Sequence, residues 1–357
     1  MVEFYTTARV TGRRPGIRPF SWQPSLLRAA ATVPMVTCRE CDQNQIVTAV
    51  IDTHVHHWEL SRFRYPWLDD PAFDDLRQDY LPTNYRADAA TAEIEDGRVD
   101  GWVHIQAEVD HRLDPVNETA WVASLAEQAS GSQLSGPVAC VVYADLRAAD
   151  LREVLSRHCR YPLTRGVRQE AWFDPDSTRA DIPREDLLSD PAWQNGYRLL
   201  AEFGLSFDLL VWPAQLVQAA AIVADTPSVP VVLEHLGLPD PITDAGLRTW
   251  RTGVAALAQV PHAYVKLSAF SLLGNPRDER AVRGVVSVLL EHFGPRRCMV
   301  GSNFPVERLA GDFDSLYDLV LASLRELSEE QRAEVLAGTA RRFYRISDAL
   351  SKPIETR

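Results

Sequence analysis

The feature that most constrains this chain is an alternation, from residue 48 onward, of short apolar runs with longer segments of helical periodicity. The runs occupy residues 49–54, 102–108, 138–143, 165–170, 206–211, 229–235, 264–268 and 298–303. Between them, apolar residues recurring three and four apart predict helices over 117–129, 149–157, 190–203, 214–224, 244–259, 279–293 and 315–326. Strands that alternate with helices pair in parallel through right-handed crossovers, and eight such units over about 300 residues suit a single closed (β/α)8 barrel. An open doubly wound sheet is the alternative, but no run is followed by a GxGxxG or P-loop sequence.

Composition narrows the partners. The formal net charge of −12 sets an average field that repels nucleic acid and anionic membranes. No apolar run approaches the roughly 20 residues of a spanning helix, so a small-molecule substrate is the expected partner. Five cysteines, an odd count at irregular spacing, argue against a secreted disulfide framework and for a reducing, cytoplasmic setting. Cys38-Arg-Glu-Cys41 is a lone CxxC lying ahead of the first strand, where neither a redox nor a zinc role is expected. Residues 1–47 carry six arginines against three acids and read as an extension outside the catalytic domain, a transit-like segment or a misplaced start with Met35 as the true one. The barrel domain is expected over 48–345, followed by a tail over 346–357, and a homodimer is the default assembly.

Barrels of this kind carry their active site at the C-terminal ends of the strands. In this chain those ends are polar: His54 and His56, Gln106 and Glu108, Arg168 and Glu170, Asp208, His235, Lys266 and Ser268, and Asn303. In Ile51-Asp-Thr-His-Val-His-His-Trp58, strand alternation sends His54 and His56 to one face and Val55 and His57 to the other. Two imidazoles on one face make half of a metal site. In Val231-Val-Leu-Glu-His235, alternation separates Glu234 from His235, and His235 is taken as the inward member.

These segments, with Tyr65-Pro-Trp67, Val265-Lys-Leu-Ser268 and Gly301-Ser-Asn-Phe-Pro-Val306, resemble the amidohydrolase superfamily, in its branch of sugar-acid and aromatic-pathway lactonases. The resemblance spans about residues 48–345. It implies a barrel hydrolase in which His54, His56 and His235 surround one divalent metal, usually zinc, or a substrate carbonyl in members without metal. It also implies a last-strand aspartate that deprotonates water, and here that position is Asn303. An asparagine amide cannot accept a proton at working pH, so the usual base is missing. No lysine stands at the end of the fourth strand, so at most one metal is expected.

Within that frame Asp208 or Glu170 could replace the base, Arg168 and Lys266 would hold a substrate carboxylate or an oxyanion, and Gln106 lies beside them. Trp58, Tyr65 and Trp67 in the first βα loop, and Trp172 and Trp212 beyond strands four and five, could form the pocket wall. Hydrolysis of a small carboxylate-bearing or sugar-derived lactone leads. Decarboxylation by the same histidines and a non-catalytic metabolite-binding barrel are the alternatives.

Overall fold

A computed structural model of the chain describes residues 48–90, 97–130, 136–173, 185–240, 243–274 and 278–347. The expected extension over 1–47, its Cys38 and Cys41, and most of the expected tail lie outside the described residues. Eight parallel strands follow one another in chain order: β1 (Thr48–Val55), β2 (Gly97–Ile105), β3 (Pro137–Val142), β4 (Thr164–Val167), β5 (Ser206–Leu209), β6 (Val231–Leu233), β7 (Ala263–Leu267) and β8 (Cys298–Val300). The ring closes at its upper rim, where Val55 bridges Phe304 in parallel and the His56 N–H donates to the Phe304 carbonyl at 2.8 Å. This is the (β/α)8 barrel that the alternation predicts.

The helices form where apolar spacing and side-chain caps coincide. Asp190, Thr243, Asp278 and Asp312 each accept a backbone N–H at the start of the helices Pro191–Leu199, Asp244–Ala258, Glu279–Phe293 and Phe313–Ser323. Helix Pro82–Ala89 and the helical turns after residue 329 were not expected from periodicity, because they are short. The last of these turns closes the barrel floor. Ala337, Ala340, Phe343, Tyr344 and Ile346 pack against Ile51, Val103, Ile105, Ala139, Val141, Val232 and Met299 inside the ring. Ile346, expected in the tail, thus belongs to the core. Among the described residues, no helix is long and apolar enough to cross a membrane.

One histidine outside the site reports on this packing. His158 closes the helix Leu151–His158; its Nδ1 lies 2.8 Å from Thr119 Oγ1, and its buried Nε2 has no partner among the described residues. Burial pulls this imidazole from 6.5 down to about 4, against smaller opposing effects of the Tyr143 backbone and Asp114. The unfolded chain therefore protonates first, so stability is fully present above pH 6.5 and is lost as pH falls toward 4. We expect His158→Gln to narrow the loss in unfolding free energy between pH 7.5 and pH 5 by about 2 kcal/mol, measured by urea titration. An unchanged loss would refute this account.

Candidate active site

The strands end earlier than their apolar runs suggest, and the polar residues beyond them leave the ladder. Glu108, His235 and Asn303 stand just past β2, β6 and β8 with φ of 54°, 54° and 60°. Asn and His enter this left-handed region more readily than most residues, whereas a glutamate there costs about 1–3 kcal/mol. The turn also overrides strand alternation. Val232 belongs to the inner layer, so Glu234 continues the inward face of β6, and the left-handed backbone at His235 brings that ring in as well. The expectation that Glu234 faces away is corrected: it is fully buried beside His54, Arg168 and Lys266.

β1 follows its expected alternation at the rim. His57 points outward, where its Nε2 accepts from Trp102 Nε1 at 2.7 Å and its Nδ1 lies 3.2 Å from the Tyr80 carbonyl. His54 and His56 turn inward with their Nε2 atoms 3.1 Å apart, and the ring of His235 lies 4.5 Å from that of His54, centre to centre. Gly301 makes this approach possible. A Cβ there would stand 2.8 Å from His54 Cβ and 3.1 Å from its backbone nitrogen. Gly301→Ala should therefore displace His54 and cost about 1–3 kcal/mol of stability together with bound metal. Melting curves and elemental analysis would test this, and an unperturbed protein would contradict it.

His54, Glu234 and His235 bring ligand atoms within 4.8 Å of one another, and His56 joins them through its Nε2, 3.1 Å from that of His54, a cluster that fits a divalent cation. His56 Nδ1 lies 2.9 Å from the Ile105 carbonyl, which can only accept, so this ring keeps its proton on Nδ1 and a lone pair on Nε2. His235 Nδ1 engages Ser268 Oγ at 3.1 Å. Burial holds His54 and His56 well below the usual histidine range and His235 at about 4, with Lys266 or Arg168 adding to the effect, so all three rings are neutral and keep a lone pair to offer. Two nitrogens at ≈ 2.0–2.1 Å from zinc stand about 3.0–3.4 Å apart, a range that includes the His54–His56 separation. Glu234 also has an oxygen within 4.8 Å of donors on His54 and His235. That oxygen, however, sits 3.3 Å from His54 Nδ1 and serves better as an orienting partner than as a ligand.

Charge supports the same fit. Among the described residues, Glu108, Glu170, Asp208 and Glu234 stand around two permanent cations, Arg168 and Lys266, an excess of two negative charges before any protonation of His111. Burial pushes Glu108 and Glu234 up, but His111 and Arg168 for the one and Arg168 and Lys266 for the other bring both below the usual range. Asp208 is raised by burial to about 6 despite Lys266.

Above this layer opens a cavity of about 500 Å3, its mouth included, lined in part by His56, His235, Asn303, Arg168, Glu108 and Glu170. Trp67, Phe73, Trp172 and Val306 supply its apolar wall, and Trp212 packs against Trp172 at a tilt, 5.1 Å between ring centres. Five expected site residues lie elsewhere. Trp58 donates to the Gln78 carbonyl at 2.6 Å and packs with Tyr65 under the first loop, so both anchor that loop and neither forms the wall. Gln106 supports from below, its carbonyl accepting from Arg168 at 2.8 Å. Lys266 is completely buried beneath His54 and so cannot hold a substrate carboxylate directly. Asp208 is likewise removed from the cavity, bonded to Lys266 at 2.5 Å and to the Tyr344 hydroxyl at 2.8 Å. From the sequence Glu108 reads as a polar strand end without an assigned role, and Glu234 as facing away. Their position next to Gln106 and His235 at strand ends was the available signal.

A profile described as Amidohydrolase matches residues 51–346. The chain belongs to the amidohydrolase family. Among its relatives are two proteins named L-fucono-1,5-lactonase. That of Burkholderia multivorans is 30% identical over 86% of this chain and 98% of its own length. That of Burkholderia ambifaria is 27% identical over 84% and 97%. A solved amidohydrolase from Burkholderia multivorans, described with bound Zn, matches with a TM-score of 0.70 and 29% identity over 84% of this chain and 100% of that one. This amidohydrolase is therefore a barrel enzyme of the hydrolase type.

Proposed function

We propose that this amidohydrolase opens a neutral, hydroxyl-rich lactone, and that the observation carrying this reading is the enclosure of Arg168. The guanidinium lies 3.4 Å from Glu234, 3.7 Å from Glu108 and 3.7 Å from Glu170, so its charge is already balanced. The cavity thus offers carboxylates that accept hydroxyl protons, and a guanidinium whose charge is already engaged and so holds an anionic substrate weakly. That disfavours the carboxylate-bearing lactones also expected from the sequence. The names of the two Burkholderia relatives, both lactonases of a sugar acid, support the same class.

Trp67 and Trp172 offer faces on which the ring would stack. Asn303 Nδ2, Trp172 Nε1 and Arg168 Nε are buried donors with no acceptor among the described residues, and a carbonyl and ring hydroxyls would satisfy them. Glu108, fixed by Gln106 and His111, would accept a substrate hydroxyl. Of the two carboxylates considered for the missing base, only Glu170 lines the cavity, so Glu170 takes the water proton. Asn303 and Arg168 would donate to the oxygen that gains charge. A divalent cation, zinc by the donor set, would be held by His54, His56 and His235 and would polarise the carbonyl. The acyl C–O bond of the ring would then break, and Glu170 would return the proton to the departing ring oxygen, leaving an open-chain hydroxy acid.

Steady-state kinetics on a panel of neutral aldonolactones and of carboxylate-bearing lactones tests this. We expect kcat/KM at least about 100-fold higher for the best neutral lactone, or 2.7 kcal/mol at about 1.36 kcal/mol per decade. Preference for the anionic class would overturn the reading.

A further inference from the structure

We infer that Lys266 and Glu234 compete for His54 Nδ1, and thereby set which nitrogen of that ring carries its proton and whether the histidine site takes up metal. Lys266 Nζ and Glu234 Oε1 each lie 3.3 Å from this single atom. An ammonium can only donate, which would demand a lone pair on Nδ1; a carboxylate can only accept, which would demand a proton there.

Each choice completes a different chain of hydrogen bonds. With Lys266 donating, the His54 proton sits on Nε2 and is given to His56 Nε2 at 3.1 Å, while His56 gives its own proton to the Ile105 carbonyl at 2.9 Å. This wire is fully paired and leaves no lone pair for a metal on His54. With Glu234 accepting, the proton sits on Nδ1, and the Nε2 atoms of His54 and His56 are both free to coordinate. The second choice needs a small turn of the Glu234 carboxylate, whose Oε1 lies 3.3 Å from Nδ1 outside hydrogen-bond geometry and 3.6 Å from Lys266 Nζ; once made, it gives this buried oxygen the donor it lacks. His54 holds one proton in either state, so the exchange moves a proton between its nitrogens and changes no charge. Lys266 stays anchored throughout by Asp208 at 2.5 Å, itself held by Tyr344 of the barrel floor at 2.8 Å.

Lys266 is therefore a positioning residue that favours the metal-free wire, and Glu234 is one that favours the loaded site. The inference rests on the three histidines as the metal site and not on the substrate class. Long-range 1H–15N correlation of histidine-labelled, chelator-treated full-length protein reads the proton position directly, with His54 identified by its absence in His54→Gln. We expect the His54 proton on Nε2 in the metal-free parent and on Nδ1 after Zn2+ is added. Lys266→Met should shift it to Nδ1 without metal and tighten Zn2+ binding about tenfold or more by competition titration. Glu234→Gln should weaken binding by about 10–100-fold. If Lys266→Met fails to fold because Asp208 is stranded, the double variant Lys266→Met/Asp208→Asn removes that charge and carries the same expectation.

Lys266→Arg, which keeps a donor, should leave the metal-free proton on Nε2. A metal-free parent already protonated on Nδ1, a Lys266→Met protein whose His54 proton does not move, or a parent that binds no Zn2+ would each overturn the inference. None of these results depends on turnover, so failure of the lactone reading is distinguishable.

Discussion

Glu170→Gln should lower kcat/KM for the best lactone by about 10²–10⁴, the range that a positioned general base contributes. The substitution keeps size and removes basicity together with one of the three charges that face Arg168, so kcat should fall far more than KM changes. Glu170 stands past β4 at the cavity wall, 3.7 Å from Arg168, and Asn303 stands past β8 on the same cavity. That shared cavity makes a rescue test possible. In the Glu170→Gln background, Asn303→Asp returns a carboxylate to the position where the family ordinarily has one, and should recover about tenfold of the lost rate. A Glu170→Gln enzyme with parental kcat would show that water is activated without this side chain. Loss without rescue would mean that Asn303 is needed for its amide, consistent with its unpaired Nδ2 donor.

The strand-helix alternation carried the barrel, because each strand of a parallel sheet needs an apolar run and each crossover an apolar stripe. The same logic placed His54 and His56 inside and His57 outside, since β1 keeps its extended backbone through Val55. It failed at β6 for a definite reason. The strand stops at Leu233, and residues beyond it no longer alternate, so Glu234 and His235 both reach the centre. A side chain two residues past a strand end is governed by its own φ, which a parity count does not contain. Lys266 and Asp208 illustrate a second limit. Their strand positions are inward as read, but depth along the barrel axis separates a side chain that meets substrate from one that meets only His54 or the floor. The aromatic loop shows a third. Trp58, Tyr65 and Trp67 are equivalent in sequence, yet only Trp67 lines the cavity, with its Nε1 donating to the Ala107 carbonyl at 2.9 Å.

The contrast between neighbours in β1 gives the second large effect. His56→Gln should lower kcat/KM by about 10³ or more and release the metal, since a polarising cation supplies several kcal/mol of transition-state stabilisation and each factor of ten is about 1.36 kcal/mol. His57→Gln, one residue on, should do the reverse. That ring is buried away from the cavity, bonded to Trp102 at 2.7 Å, with Tyr80 and His104 stacked on either side at 6.0 and 5.8 Å. Its replacement gives up the ring packed against Tyr80 and His104 and should cost about 1–3 kcal/mol of stability, with metal content and kcat/KM near parental values. Elemental analysis, kinetics and urea unfolding on the two proteins separate the roles. If His56→Gln kept its metal, or His57→Gln lost it while folded, then alternation along β1 would not be what divides the site from its scaffold. The donor set would have to be drawn again from the other side of the strand.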